Sequence, residues 1–242
     1  IAPTGIVSTF AGSVVPGSND GIGTAASFNF PQGIAIDLAG NLYVADSGNH
    51  KIRKVTPSGL VSTLAGSGVV GAADGIGTVA SFYYPQGVTV DLNGIVYVAD
   101  FGNNIIRKIT PSGVVSTLAG SGVAGAANGS GTAASFNHPT GVTVDRDGYY
   151  LYVWDSYNNK IRKITNTGYV TSYAGSGNQG SSDGYGSSAS FNQLKFLKID
   201  CLGNVYVADS SNNVIRKIVQ TANINIGLVS TVSTQLGQGF NS

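Results

Sequence analysis

The chain has no methionine, one cysteine, one tryptophan and two histidines among its 242 residues. A lone Cys201 excludes an intrachain disulfide and any zinc site built on several thiolates. His50 and His138 are too few for a multi-histidine metal centre unless carboxylates complete it. Charge is scarce too, at 10% of residues. Lys+Arg 13 nearly balances Asp+Glu 12, so there is no basic face for nucleic acid. No apolar run approaches the ~20 residues that span a bilayer, and no apolar period of 3.6 marks a helix. Without methionine, Ile1 is expected to be a processed end or an internal cut. Residues 1–20 lack the basic and apolar regions of a signal peptide.

What the chain has is glycine, 35 residues of it, with much Ser, Thr and Asn and 42% hydrophobic residues. That balance points to a turn-rich fold with a substantial core, of secreted or surface-displayed type. It also repeats itself, which takes precedence over any local reading. "LYVADSGNHKIRK" at 42–54 returns as "VYVADFGNNIIRK" at 96–108, "LYVWDSYNNKIRK" at 151–163 and "VYVADSSNNVIRK" at 205–217. A shorter phrase, "GIVSTFAG" at 5–12, recurs at 59–66, 113–120 and 168–175, with a fifth echo, "GLVSTV", at 227–232.

Each unit reads as four short strands. "GIAID", "LYVAD", "KIRKV" and "LVSTLAG" are rich in β-branched and aromatic residues, and the joints between them in Gly, Asn, Pro and Ser. Strands this short with turns this tight form antiparallel hairpins in series. Four such meanders predict an all-β propeller, one unit per blade. Small residues such as Gly33, Gly87 and Gly141 open the first strands, as crowding near the axis requires. Blades are expected at about 33–66, 87–120, 141–175 and 196–232, with a tail over 233–242. The surplus "GIVSTFAG" is expected to be an N-terminal closing strand that pairs with 214–218, with "GLVSTV" as its rival for that edge.

"FPQGIAIDLAGNLYVADSGNHKIRKVTPSGLVSTLAG" at 30–66 resembles an NHL repeat, down to the Gly-Asn-His at 48–50. The resemblance extends over all four units. It implies a β-propeller, often six-bladed in this family, that serves mostly as a binding or scaffold module. Some relatives are enzymes, including a metal-dependent amidating lyase, but their metal ligands do not map onto this chain.

Shared residues are expected to be scaffold, and departures from the repeat to carry function. Asp46, Asp100, Asp155 and Asp209 should cap the turn that follows them. Arg53, Arg107, Arg162 and Arg216 should pair with carboxylates or carbonyls. Asp37, Asp91, Asp145 and Asp200 end the first strands and are the candidate ligands for a hard cation such as Ca²⁺, although each also begins a turn. No cofactor is otherwise implied, and no nucleophile elbow or dinucleotide motif has the context it needs. Aromatic and histidine departures cluster at the "SGNH"-type turns and long linkers: His50, Tyr83, Tyr84, Phe101, His138, Trp154, Tyr157 and Tyr185. They suit a protein or carbohydrate partner, with Trp154 and Tyr84 equally suited to filling gaps between blades. In the fourth unit Phe196 replaces the glycine and Lys198 brings a charge into the first strand. The sequence therefore predicts a non-enzymatic binding or structural module that self-associates by strand exchange. The alternative is a metal-dependent lyase or hydrolase with its site in the central channel.

Overall fold

The computed structural model describes residues 5–220 and 226–232. It contains twenty strands in four antiparallel sheets, joined by turns and single-turn 3₁₀ segments. The first blade comprises β1 (Gly21–Ile22), β2 (Pro31–Ile36), β3 (Leu42–Asp46), β4 (Lys51–Val55) and β5 (Leu60–Ala65). The second comprises β6 (Gly75–Ile76), β7 (Pro85–Val90), β8 (Val96–Asp100), β9 (Ile105–Ile109) and β10 (Val114–Ala119). The third runs through β11 (Gly129–Ser130), β12 (Pro139–Val144), β13 (Tyr150–Asp155), β14 (Lys160–Thr165) and β15 (Tyr169–Ala174). The fourth has β16 (Gly184–Tyr185), β17 (Leu194–Ile199), β18 (Val205–Asp209), β19 (Val214–Gln220) and β20 (Gly227–Thr231).

The four-stranded meander is present in every blade, and each sheet also has a fifth strand that the sequence pattern did not suggest. In the first blade the order is β1-β5-β4-β3-β2, and the other three follow it. The extra strand is two residues of the long linker, laid antiparallel on the outer edge (Gly21 opposite Val61, Ile22 opposite Leu60). It covers backbone groups that would otherwise form an open edge.

Cores lie between blades rather than within them, because the apolar faces of neighbouring sheets meet at each seam. Tyr43, Ala45 and Ile52 of the first blade pack on Val88, Val98 and Ile109 of the second. Tyr97, Ala99 and Ile106 pack in the same way on Val142 and Val153 of the third. At the third seam Trp154 stands where the others have alanine, fully buried, its ring edge-on to Phe191 at 6.1 Å. It fills a gap between blades.

Inner strands touch in the sequence β2, β7, β12, β17. A side chain on Gly33 would overlap the Gln86 carbonyl oxygen, and one on Gly87 the Thr140 carbonyl oxygen. Gly141 faces the Leu197 side chain instead of backbone. Phe196 takes the glycine's place in the fourth blade and is 70% exposed.

The four blades form an arc whose two ends are unpartnered. On the first blade Ile34 and Ile36 are 58% and 64% exposed, although Val88, the counterpart of Ile34, is buried. On the fourth, Ile215 is 50% exposed where Ile52, Ile106 and Ile161 are fully buried.

The expected closing strand is corrected here. Residues 5–12 form no strand. The edge of β19 belongs to β20, the C-terminal copy, with Val229 opposite Ile218. Instead, Gly12 N–H donates to the Gly23 carbonyl at 3.0 Å, as Gly66 does to Gly77 and Gly120 to Gly131. The N-terminal copy thus lies against the first blade as the end of β5 lies against the second. The expected tail, 233–242, lies outside the described residues, as do residues 1–4 and 221–225.

The axial glycines supply a test. Gly87→Ala places a methyl in neighbouring backbone and should cost ~3 kcal/mol. Gly131→Ala, with φ +55° and no atom within 4 Å of the new methyl, should cost only ~1 kcal/mol. Urea unfolding of the two variants should rank them in that order.

Candidate functional site

One buried arginine per blade fixes the linkers that carry the candidate site. The Arg107 side chain is fully buried. Its Nη1 donates to Asp100 Oδ2 at 3.2 Å and to the Ser81 carbonyl at 2.9 Å. Its Nη2 donates to the Ala73 carbonyl at 2.9 Å and to Asp74 Oδ1 at 2.7 Å. The guanidinium carbon lies 5.1 Å from the centroid of the Phe82 ring. Arg53, Arg162 and Arg216 repeat the arrangement, with Asn128 in place of the outer aspartate in the third blade.

The inner aspartate behaves differently from the expected turn cap. Asp46 makes no capping bond to the turn Ser47–Asn49. Its Oδ1 accepts from the Asn29 backbone N–H of the linker at 2.7 Å, and its Oδ2 accepts from Asn49 Nδ2 at 2.8 Å and from Arg53. Short-range turn chemistry gives way to a longer tie because the buried guanidinium needs the carboxylate. Burial pushes the Asp100 carboxyl up to about 6, against the pull of Asn103, the Tyr83 amide and Arg107.

On the face of the long loops, two non-glycine positions per blade are left-handed. The residues that close the β3–β4-type turns, His50, Asn104, Asn159 and Asn213, have φ between 48° and 59°. The residues that precede the inner strands, Phe30, Tyr84, His138 and Gln193, have φ between 46° and 53°. Asn tolerates this region, but an aromatic residue before proline is strained in it. The two sets meet across seams. Tyr84 N–H donates to His50 Nδ1 at 3.1 Å, and His138 N–H donates to Asn104 Oδ1 at 2.8 Å.

These seams gather six of the eight aromatic and histidine candidates into two clusters. At the first seam His50 lies edge-on to Tyr84, centroids 4.7 Å apart, and Tyr83 lies 5.3 Å from Tyr84. At the second, His138 stacks on Tyr157 at 4.4 Å and meets Phe101 edge-on at 4.6 Å. Tyr157 is 65% exposed. Two candidates fall elsewhere. Trp154 is buried in the third seam, and Tyr185 belongs to β16 on the outer edge of the fourth blade. The linker aromatic went to the perimeter because its segment became the fifth strand.

Asp37, Asp91, Asp145 and Asp200 each serve their own hairpin turn. Asp37 accepts from the Asn41 amide, the Asn41 side chain and the Tyr43 hydroxyl. Asp91 accepts from the Asn93 and Ile95 amides, Asp145 from Tyr149, and Asp200 from Leu202 and Asn204. Among the described residues no three His, Cys, Asp or Glu side chains are grouped to hold a metal ion.

A feature missed from the sequence sits on the axis. A cavity of about 740 Å³ is lined by the starts of all four inner strands. Gln32, Gln86 and Thr140 of three blades share it with Lys195 and Phe196 of the fourth, and Tyr157 stands at its wall. The departures in the fourth unit were its signal in the sequence.

His50 makes the first seam sensitive to pH. Burial pulls its pKa below the ordinary 6.5, and its Nδ1 must be unprotonated to accept from Tyr84. The folded state therefore binds fewer protons than the unfolded state between the two values, so this contribution is full above 6.5 and is lost as pH falls. Melting temperatures from pH 7.5 down to 5 should fall more steeply for the native chain than for His50→Asn, which carries the residue used at the other three turns.

The sequence profile of the NHL repeat matches residues 28–55 and 82–109. NHL repeat-containing protein 2 of Bos taurus is 43% identical over 93 residues, which are 38% of this chain and 13% of that protein. An auxiliary nutrient binding protein from Bacteroides ovatus has a similar fold, with a TM-score of 0.62 at 20% identity over 87% of this chain and 50% of that one. A streptogramin B lyase does too, with a TM-score of 0.56 at 18% identity over 85% of this chain and 55% of that one. The chain thus spans about an eighth of its curated relative and about half of each solved propeller. The first two units thus match the NHL repeat, and the other two repeat their Asp, Arg and left-handed turn residues, so the chain is an array of four NHL-type blades.

Proposed function

We propose that this array is a non-enzymatic binding module that takes a protein or glycan on its long-loop face. The observation that carries this reading is the pair of aromatic clusters at the seams. Two of their members, Tyr84 and His138, occupy the position before the inner strand that is left-handed in every blade, so the repeat itself fixes where these rings stand. Rings held in place by the repeat and partly exposed suit a preformed contact surface. The low charge and the Gly, Ser, Thr and Asn bias support placement outside the cell or on its surface. A metal-dependent lyase or hydrolase has less support, because each carboxylate at the inner-strand ends is already bonded to its own turn.

Self-association is a second reading, favoured by the exposed Ile34, Ile36 and Ile215 at the two ends of the arc. These are the two halves of the interface that the chain builds three times between its own blades. Strand exchange is not the route this favours, since β20 already fills the β19 edge.

The binding reading is tested on glycan and extracellular-protein arrays, with Phe101→Ala/Tyr157→Ala as the variant. Loss of the rings should weaken capture of the strongest ligand by about tenfold, or ~1.4 kcal/mol, with the melting temperature unchanged. Light scattering on the same samples reads self-association as mass above 24.6 kDa. Full retention of binding by the variant, or no captured ligand at all, would remove the aromatic surface as the binding site.

A further inference from the structure

We propose that the axial cavity binds a carboxylate-bearing carbohydrate, and that Lys195 and Lys198 read its charge. The proposal rests on the reading that the long-loop face is the binding face, and it names the ligand class.

Both lysines line the cavity, and both break the repeat. The position of Lys195 is held by Gln32, Gln86 and Thr140 in the other blades. That of Lys198 is held by Ala35, Thr89 and Thr143. A scaffold that folds three times without a cation at either place does not need two in the fourth copy. Nor are they neutralised. Lys51 donates to Ser18, and Lys54 and Lys217 lie over tyrosine rings, whereas Lys195 and Lys198 have no hydrogen-bond or ion-pair partner among the described residues. No Asp or Glu is among the lining residues. Uncompensated positive charge in a concavity focuses its field on whatever enters.

The rest of the wall selects among anions. Gln32, Gln86 and Gln193 each present an amide that both donates and accepts. Hydroxyl groups also do both, so a ring of amides matches a polyol better than it matches a bare inorganic anion. Phe196 offers an exposed ring to the C–H face of a sugar, and Tyr157 joins the cavity to the second aromatic cluster. The volume, about 740 Å³, is that of an ordinary small-ligand site. Two lysines on a chain of net charge +1 are too few for a nucleic-acid track.

The experiment is calorimetric titration of the full chain with trimers of galacturonate, glucuronate and mannuronate. Each is compared with its methyl ester, which removes the charge and keeps the hydroxyls. At least one acid trimer should bind, about tenfold or more tighter than its ester, and weaken as salt rises. Lys195→Gln/Lys198→Thr installs residues that other blades carry at these positions, so it should fold normally and lose most of that preference. No binding of any trimer would overturn the proposal, as would equal affinity for acid and ester or full binding by the double variant. An aspartate trimer binding as tightly as the best uronate would overturn the carbohydrate assignment in favour of an acidic peptide. If the lysine variant keeps uronate binding while Phe101→Ala/Tyr157→Ala loses its array ligand, the cavity proposal fails and the binding face stands. If uronate binding needs the lysines but the aromatic variant loses nothing, the aromatic surface fails and the cavity stands.

Discussion

The guanidinium of one buried arginine per blade is the interaction on which the rest depends. It reaches back more than thirty residues to the linker ahead of its own blade, as from Arg53 to Asp20 and from Arg107 to Asp74. Four bonds in a planar fork satisfy two linker carbonyls and two carboxylates at once. The Gly-rich linker has few apolar side chains, Ala80 and Phe82 being the ones it buries fully in the second blade, so this polar tie adds order to what packing supplies. Its energetics are asymmetric. Assembling a buried ion pair gains little net free energy, but removing one partner costs about 3–5 kcal/mol. That asymmetry makes the arginine a strong constraint on conformation as well as a contributor to stability.

The proposed binding surface rests on what the tie holds in place. The pinned linker ends one residue before the left-handed position at Tyr84 or His138, directly ahead of the inner strand. The aromatic clusters, the seam bonds through His50 and Asn104, and the mouth of the axial cavity all lie within a few residues of it. The repeated elements thus build a rigid frame, and individuality appears only where a copy departs. Tyr157 and Phe101 vary at the turns, and Lys195, Phe196 and Lys198 vary at the axis. In each case the altered residue faces solvent or the cavity, where the frame tolerates change.

Much of this was legible in the sequence because it obeys local rules. The strands follow β-branched runs, the inner glycines follow from crowding at the axis, and the pairing of each Arg with carboxylates and carbonyls follows from its recurrence in every unit, whereas the Asp expected to cap its turn ties the linker instead. What was not legible depended on long-range competition. "GIVSTFAG" and "GLVSTV" are equally good fourth strands, and the choice of β20 rests on which one chain geometry brings to β19. Tyr185 looks like a loop aromatic until its linker becomes the outer strand. Trp154 was open to either reading, a surface ring or a filler between blades, and the structure makes it the filler. The axial cavity escaped notice because its lining comes from four separate units, and no single stretch carries it.

The account is tested most directly by native-state hydrogen exchange on Arg107→Lys, which keeps the charge but cannot span four acceptors. The linker amides of Ser81 and Tyr83, bonded to the Ala73 carbonyl and to Asp100, should lose protection by about a hundredfold, ~2.7 kcal/mol, while the amides of the neighbouring strand β13 keep theirs. Unchanged protection at both linker amides would contradict the claim that the buried guanidinium orders the linkers and, through them, the long-loop face.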